Sequence, residues 1–151
     1  MAHNVDWIPL FDGLGAEARQ MVERLFEPFR CVAGTVIFEQ GDPAIFLYLI
    51  RKGSVTIRYK PYDTPAINLT TIAAGGAFGW SAVVGNHAYT SGAIARDDLE
   101  AVRVRGTDLR DLTARHPDVG EQVLDRLAQL VSNRWKDANR QVRAILNQVV
   151  H

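Results

Sequence analysis

Between Gly75 and Ala95 the chain reads Gly-Gly-Ala-Phe-Gly-Trp-Ser-Ala-Val-Val-Gly-Asn-His-Ala-Tyr-Thr-Ser-Gly-Ala-Ile-Ala, residue types that suit holding an anion better than making or breaking a bond. Gly79 would let the backbone approach a ligand closely, and Ser81 would cap a short helical turn from Ser81 to Val84. The N–H groups at the start of that turn, up to Ala82, and the hydroxyls of Thr90 and Ser91 would then face a phosphate. Nucleophilic chemistry has little to work with, because Ser81, Thr90 and Ser91 have no candidate base besides His87, and no paired carboxylates fall at the strand ends. We therefore expect no enzyme. The four histidines, His3, His87, His116 and His151, are too scattered to form the metal centre of a cupin-type barrel. Haem held by His87 or Cys31 is a minor option.

The elements around this stretch follow from periodicity and punctuation. Ala18, Met21, Val22, Leu25 and Phe26 mark one face of an amphipathic helix spanning 14–27, with Pro28 ending it. From 29 to 105 the pattern changes to short strand-like runs at Val36–Phe38, Phe46–Ile50, Ser54–Tyr59, Ile67–Ile72, Ser91–Ala95 and Leu99–Val104. Gly34, Gly41-Asp42-Pro43, Lys52-Gly53, Gly75-Gly76 and Asp97-Asp98 punctuate them. Even spacing of this kind predicts a small antiparallel roll or sandwich. Helical spacing returns over 107–150, first from Thr107 to Arg115 and then, after Pro117, in one long helix to about Val149. The expectation is one domain over 1–151, mainly β with flanking helices.

Leu124, Leu127, Val131, Trp135, Ala138, Val142, Ile145 and Val149 recur at nearly heptad spacing, with a stutter between Val131 and Trp135. A helix of about 30 residues extends roughly 45 Å, beyond the reach of so small a roll. Its first two turns fit the chain's own sheet, and the rest predicts a parallel homodimer. Seventeen Lys and Arg balance seventeen Asp and Glu, so no overall field draws the chain to nucleic acid or to an anionic membrane. A single cysteine, Cys31, excludes an internal disulfide and fits a reducing cytoplasm. No window reaches the roughly 18 apolar residues of a membrane span.

Three glycine-centred motifs in fixed order, Gly34-Thr-Val-Ile-Phe-Glu-Gln-Gly-Asp-Pro43, Leu47-Tyr-Leu-Ile-Arg-Lys-Gly-Ser-Val55 and the 78–92 segment, together with the long final helix, give this chain its resemblance. It resembles the cyclic-nucleotide-binding domains that form the sensor half of catabolite-activator-type regulators. That resemblance implies a jelly-roll-like antiparallel β-roll dimerised through its C-terminal helix, with a phosphate-binding cassette at 78–92. Cyclic-AMP-binding members carry Phe-Gly-Glu at the start of the cassette, the Glu holding the ribose, and Arg-Ser-Ala at its end, the Arg pairing with the phosphate. Here Phe78-Gly79-Trp80 and Tyr89-Thr90-Ser91 stand in those places, so both charged contacts are missing. A hydrogen bond to a charged group contributes about 1.5–3 kcal/mol, and losing two would weaken a cyclic nucleotide by a few orders of magnitude.

On the same alignment Arg134 and Trp135 lie where the final helix reaches the base, and Arg134 could restore a cation while Trp135 or Trp80 stacks. The ligand-binding set is therefore Phe78, Gly79, Trp80, Ser81, Ala82, Tyr89, Thr90, Ser91, Arg134 and Trp135, for a cyclic nucleotide or another phosphate-bearing small molecule. The alternative has Trp80 and Tyr89 filling the pocket and packing on each other, leaving a ligand-free dimeric scaffold. Such regulators carry a helix-turn-helix after the long helix, and none appears before His151, so no specific DNA binding is expected of these residues and a regulatory fragment of a transcription factor is a further reading.

Overall fold

The computed structural model describes residues 13–61, 65–127 and 130. An opening helix, α1 (Ala16–Glu23), leads into eight strands. These are β1 (Phe26–Cys31), β2 (Val36–Phe38), β3 (Phe46–Lys52), β4 (Ser54–Tyr59), β5 (Ile67–Ala73), β6 (Ala77–Phe78), β7 (Gly92–Ala95) and β8 (Leu99–Arg105). A four-residue helix, α2 (Ser81–Val84), sits between β6 and β7, and α3 (Gly106–Arg115) follows β8 directly. A further helical stretch begins at residue 117 and runs to 127, the end of its continuously described part. This is the mainly β roll with flanking helices that the turn spacing predicts.

The strands form two antiparallel sheets, ordered β1-β8-β3-β6 and β2-β7-β4-β5. Alternation along the first sheet sorts its side chains into two cores. Leu47, Leu49, Val102 and Val104 face the helices, joining Val22, Leu109, Leu112, Val123 and Leu127. Tyr48, Ile50, Leu99 and Ala101 face the second sheet and close the roll with Phe38, Val55, Ile57, Leu69, Ile72, Ala93 and Ala95. The first sheet is thus buried on both faces, which explains the continuous apolar run Leu47–Ile50.

Two boundaries differ from the sequence reading. The opening helix ends at Glu23 rather than 27, and Phe26 begins β1, pairing with Val104. Pro28 fits because, among the described residues, β1 is an edge strand bonded only to β8, where a missing N–H can face outward. The two-residue β6, paired through Tyr48–Phe78 and Leu49–Ala77, was also not anticipated. Leu127, assigned from the sequence to a partner-facing seam, is fully buried in this chain's own helix-side core. The remainder of the seam, from Val131 on, lies outside the described residues.

Candidate functional site

The cassette leaves the first sheet at β6, turns through α2 and rejoins the second sheet at β7. Its shape is set by two close approaches. Gly79 has φ +90°, and a Cβ there would lie 2.7 Å from the Phe46 carbonyl oxygen, so the glycine serves a contact with β3. Gly106, at the start of α3, abuts the Ala82 carbonyl so tightly that an added Cβ would collide with it. Arg110 of α3 reaches the same place, donating from Nη1 to the carbonyls of Ala82 at 2.6 Å and Val83 at 3.3 Å. A cation at these carbonyls complements the negative end of the turn.

The first half of the cassette corrects the sequence reading. Ser81 does not cap the turn: the N-cap is Trp80, in helical conformation, with no side-chain hydrogen bond. One N–H group of the proposed cradle is already engaged, Ala82 donating to the Gly79 carbonyl at 3.1 Å, and the Val83 N–H that follows it donates to the Trp80 carbonyl at 2.9 Å. Phe78 and Ala82 are buried and Ser81 is half-buried. Trp80 packs half-buried against the helix-side core, outside the roll.

The second half is zipped onto the 41–44 turn. Tyr89 N–H donates to the Asp42 carbonyl at 2.9 Å, Gly41 N–H to the Tyr89 carbonyl at 2.9 Å, and Ala44 N–H to the His87 carbonyl at 3.1 Å. The Tyr89 ring turns inward, 5% exposed, and stacks on Phe38 with centroids 3.6 Å apart and planes 11° apart. Its hydroxyl donates to the Phe46 carbonyl at 2.6 Å and accepts from the Phe46 N–H at 3.0 Å. Burial pushes this phenol up to about 12, against the Phe46 N–H, whose hydrogen bond to the phenol oxygen favours the ionised form. Tyr48 stacks on Phe78 nearby at 4.7 Å, so the roll interior beside the cassette is lined with rings.

Trp80 and Tyr89 therefore do not pack on each other. They enter different cores, on opposite sides of the first sheet. Thr90 is exposed and Ser91 half-buried, and Arg134 and Trp135 lie outside the described residues. Sequence reading missed Phe38, Phe46, Arg103 and Arg110. The signal for Arg103 was there: Leu99, Ala101, Arg103 and Arg105 alternate along β8 and share the roll-facing side. Among the described residues no group of three or more His, Cys, Asp or Glu could hold a metal ion, and no helix is long and apolar enough to cross a membrane.

Two four-stranded antiparallel sheets with a glycine-pinned helical turn between β6 and β7 form the β-roll of the cyclic-nucleotide-binding type. The chain belongs to the cyclic nucleotide-binding domain family, whose model matches residues 28–116. It is similar to the CRP-like cAMP-activated global transcriptional regulator of Mycobacterium tuberculosis, 28% identical over 120 residues that make up 80% of this chain and 54% of that protein. It is similar also to Glutaminase 1 of Bradyrhizobium diazoefficiens, 29% identical over 136 residues, which are 89% of this chain and 21% of that protein. The crystal structure of Thermus thermophilus Catabolite Activator Protein matches with a TM-score of 0.71 and 26% identity, covering 91% of this chain and 62% of that one. The chain thus spans about a fifth and about half the length of the two curated relatives.

Proposed function

We propose that this domain is a non-catalytic sensory or regulatory module of the cyclic nucleotide-binding family in which recognition of cyclic AMP is weakened. The observation that carries the reading is Tyr89. Where the resemblance puts a phosphate-pairing arginine, this chain has a phenol whose ring stacks on Phe38 and whose hydroxyl takes up both polar groups of the Phe46 peptide positions. A ligand entering that space must displace a buried, doubly hydrogen-bonded ring. The same observation favours the second reading, a ligand-free scaffold closed by its own side chain, although Trp80 takes no part in the closure.

Calorimetry separates these readings from ordinary cyclic AMP sensing. The chain should bind cyclic AMP in the high micromolar range or not at all, and submicromolar affinity abolished by Arg134→Ala would overturn the proposal. Trp80→Glu combined with Tyr89→Arg should raise cyclic AMP affinity at least tenfold, since it returns both charged contacts.

Homodimerisation through 117–149 belongs to the same proposal and is supported by the seam from Val131 to Val149. Val142→Arg should give a folded monomer in light scattering, because an unpaired charge is unfavourable in a packed seam. Leu127→Arg should instead unfold the chain, since Leu127 has no exposure in the single subunit. A cytoplasmic location, and the absence of specific DNA binding by these residues alone, complete the reading.

A further inference from the structure

The roll-facing side of β8 ends in two arginines. Arg103 and Arg105 stand at i and i+2 on one strand, roughly 7 Å apart along it. Both guanidiniums lie over the ring of Phe46, Arg103 at 3.9 Å and Arg105 at 5.2 Å from its centroid, and Arg103 also lies 5.0 Å from that of Phe29. Arg103 is therefore held in place by aromatic rings, with its side chain 27% exposed. Its Nε donates to Glu27 Oε1 at 3.1 Å, a carboxylate that is itself half exposed. Arg105 has no carboxylate partner among the described residues, and it is exposed. Glu27 thus offsets one of two charges, Arg103 also hydrogen-bonds the Tyr48 hydroxyl, and most of the ten N–H donors of the pair still have no acceptor among the described residues. The field of Arg103 reaches the interior too, since it acts on the hydroxyls of both Tyr48 and Tyr89 against the rise that burial imposes.

We propose that Arg103 and Arg105 form an anion site over the Phe46 ring, on the outer side of the residue that anchors Tyr89, that takes the phosphate of a small phosphate monoester. The preference for a monoester follows from charge and geometry. Two planar forks on one strand face suit a tetrahedral dianion whose free oxygens engage both, whereas a cyclic phosphodiester carries one negative charge and fewer free oxygens. Phe46 fixes the forks in advance, so little side-chain entropy is lost when the anion arrives. The site goes beyond the weakened cassette, with which it shares Phe46.

The test is a calorimetric titration of the full chain with AMP, adenosine and inorganic phosphate. AMP and phosphate should saturate below about 1 mM, the affinity that two charge-assisted pairs support, and adenosine should give no binding heat. Arg105→Gln, at an exposed position outside both cores, should weaken AMP about tenfold with the melting temperature unchanged. Glu27→Gln should tighten it severalfold by releasing Arg103. Equal AMP affinity in the parent and Arg105→Gln, equal binding of adenosine and AMP, or no saturation of the parent by about 10 mM AMP would each overturn the site. Cyclic AMP titrated into the Trp80→Glu and Tyr89→Arg protein that also carries Arg105→Gln reads the cassette without the arginine pair, so the two proposals fail independently.

Discussion

The helix-facing and roll-facing sides of the first sheet receive the two halves of the cassette in opposite ways. On the helix side, Trp80 lies half-buried against an aliphatic core of Leu47, Leu49, Val102, Val104 and Leu109. On the roll side, Tyr89 is buried among rings and fastened to Phe46 by both faces of its hydroxyl. The resemblance puts both residues where cyclic-AMP-binding members carry charged contacts, yet only one of them occupies the interior. Replacing a ligand contact is therefore not the same as closing a pocket. Closure needs a side chain that satisfies the polar groups it covers, which a phenol beside the Phe46 peptide does and an indole on aliphatic carbon does not.

Truncating each residue gives the sharpest contrast. Tyr89→Ala removes a ring that is 5% exposed and leaves the Phe46 N–H and carbonyl without their partner, so the loss should be about 4 kcal/mol by chemical denaturation. Trp80→Ala, at a half-buried site, should cost about 1–2 kcal/mol. Equal losses would mean that the two sides hold the cassette alike. Gly106→Ala tests the helix side by adding rather than removing bulk. Its Cβ would strike the Ala82 carbonyl, and overpacking against backbone should lower stability by about 3 kcal/mol.

Alkaline titration reads the roll side alone. The Tyr89 phenol stands at about 12 in the folded chain against 10.0 in the unfolded one, so the folded state holds its proton more tightly. Between those values the unfolded state has lost a proton that the folded state keeps, and stability falls as pH rises. The contribution is complete below pH 10 and gone above about 12. Melting temperature should drop across that window, and Tyr89→Phe should shallow the drop, leaving what Tyr48, which burial also raises, contributes. An unchanged slope in Tyr89→Phe would place the titration elsewhere.

The contrast between the two sides was only partly legible in the sequence. Runs such as Ser54–Tyr59 and Leu99–Val104, bounded by glycine and aspartate turns, announce their strands because the apolar pattern and the punctuation agree. Phe26–Cys31 hides its strand because Phe26 also completes the helical spacing of α1 and Pro28 reads as a stop, whereas an edge position accommodates it. The location of Ser81–Val84 was legible, but its capping was not, since the N-cap role fell to Trp80. Which core Trp80 and Tyr89 enter depends on how the chain turns between β6 and β7, and that turn is set by distant backbone, Phe46 against Gly79 and Ala82 against Gly106. Local pattern carries no record of such contacts.

The smallest expected effect lies where the helix side touches the cassette through polar atoms. Arg110 donates to the last carbonyls of α2 while the rest of its side chain is exposed, so Arg110→Met keeps most of the stem and removes the two hydrogen bonds. Water can replace part of what is lost, and stability should fall by only about 1 kcal/mol. The local consequence should be larger than the global one. A four-residue turn has little hydrogen bonding of its own, and Arg110 and Gly106 tie it to α3 from one side only. Amide exchange at Val83 to Asn86 should therefore speed up by about tenfold or more while β3 and β8 keep their protection. Faster exchange spreading to Tyr89 would show that the two halves of the cassette move as one, and that the Phe46 anchor does not isolate the roll side from α3.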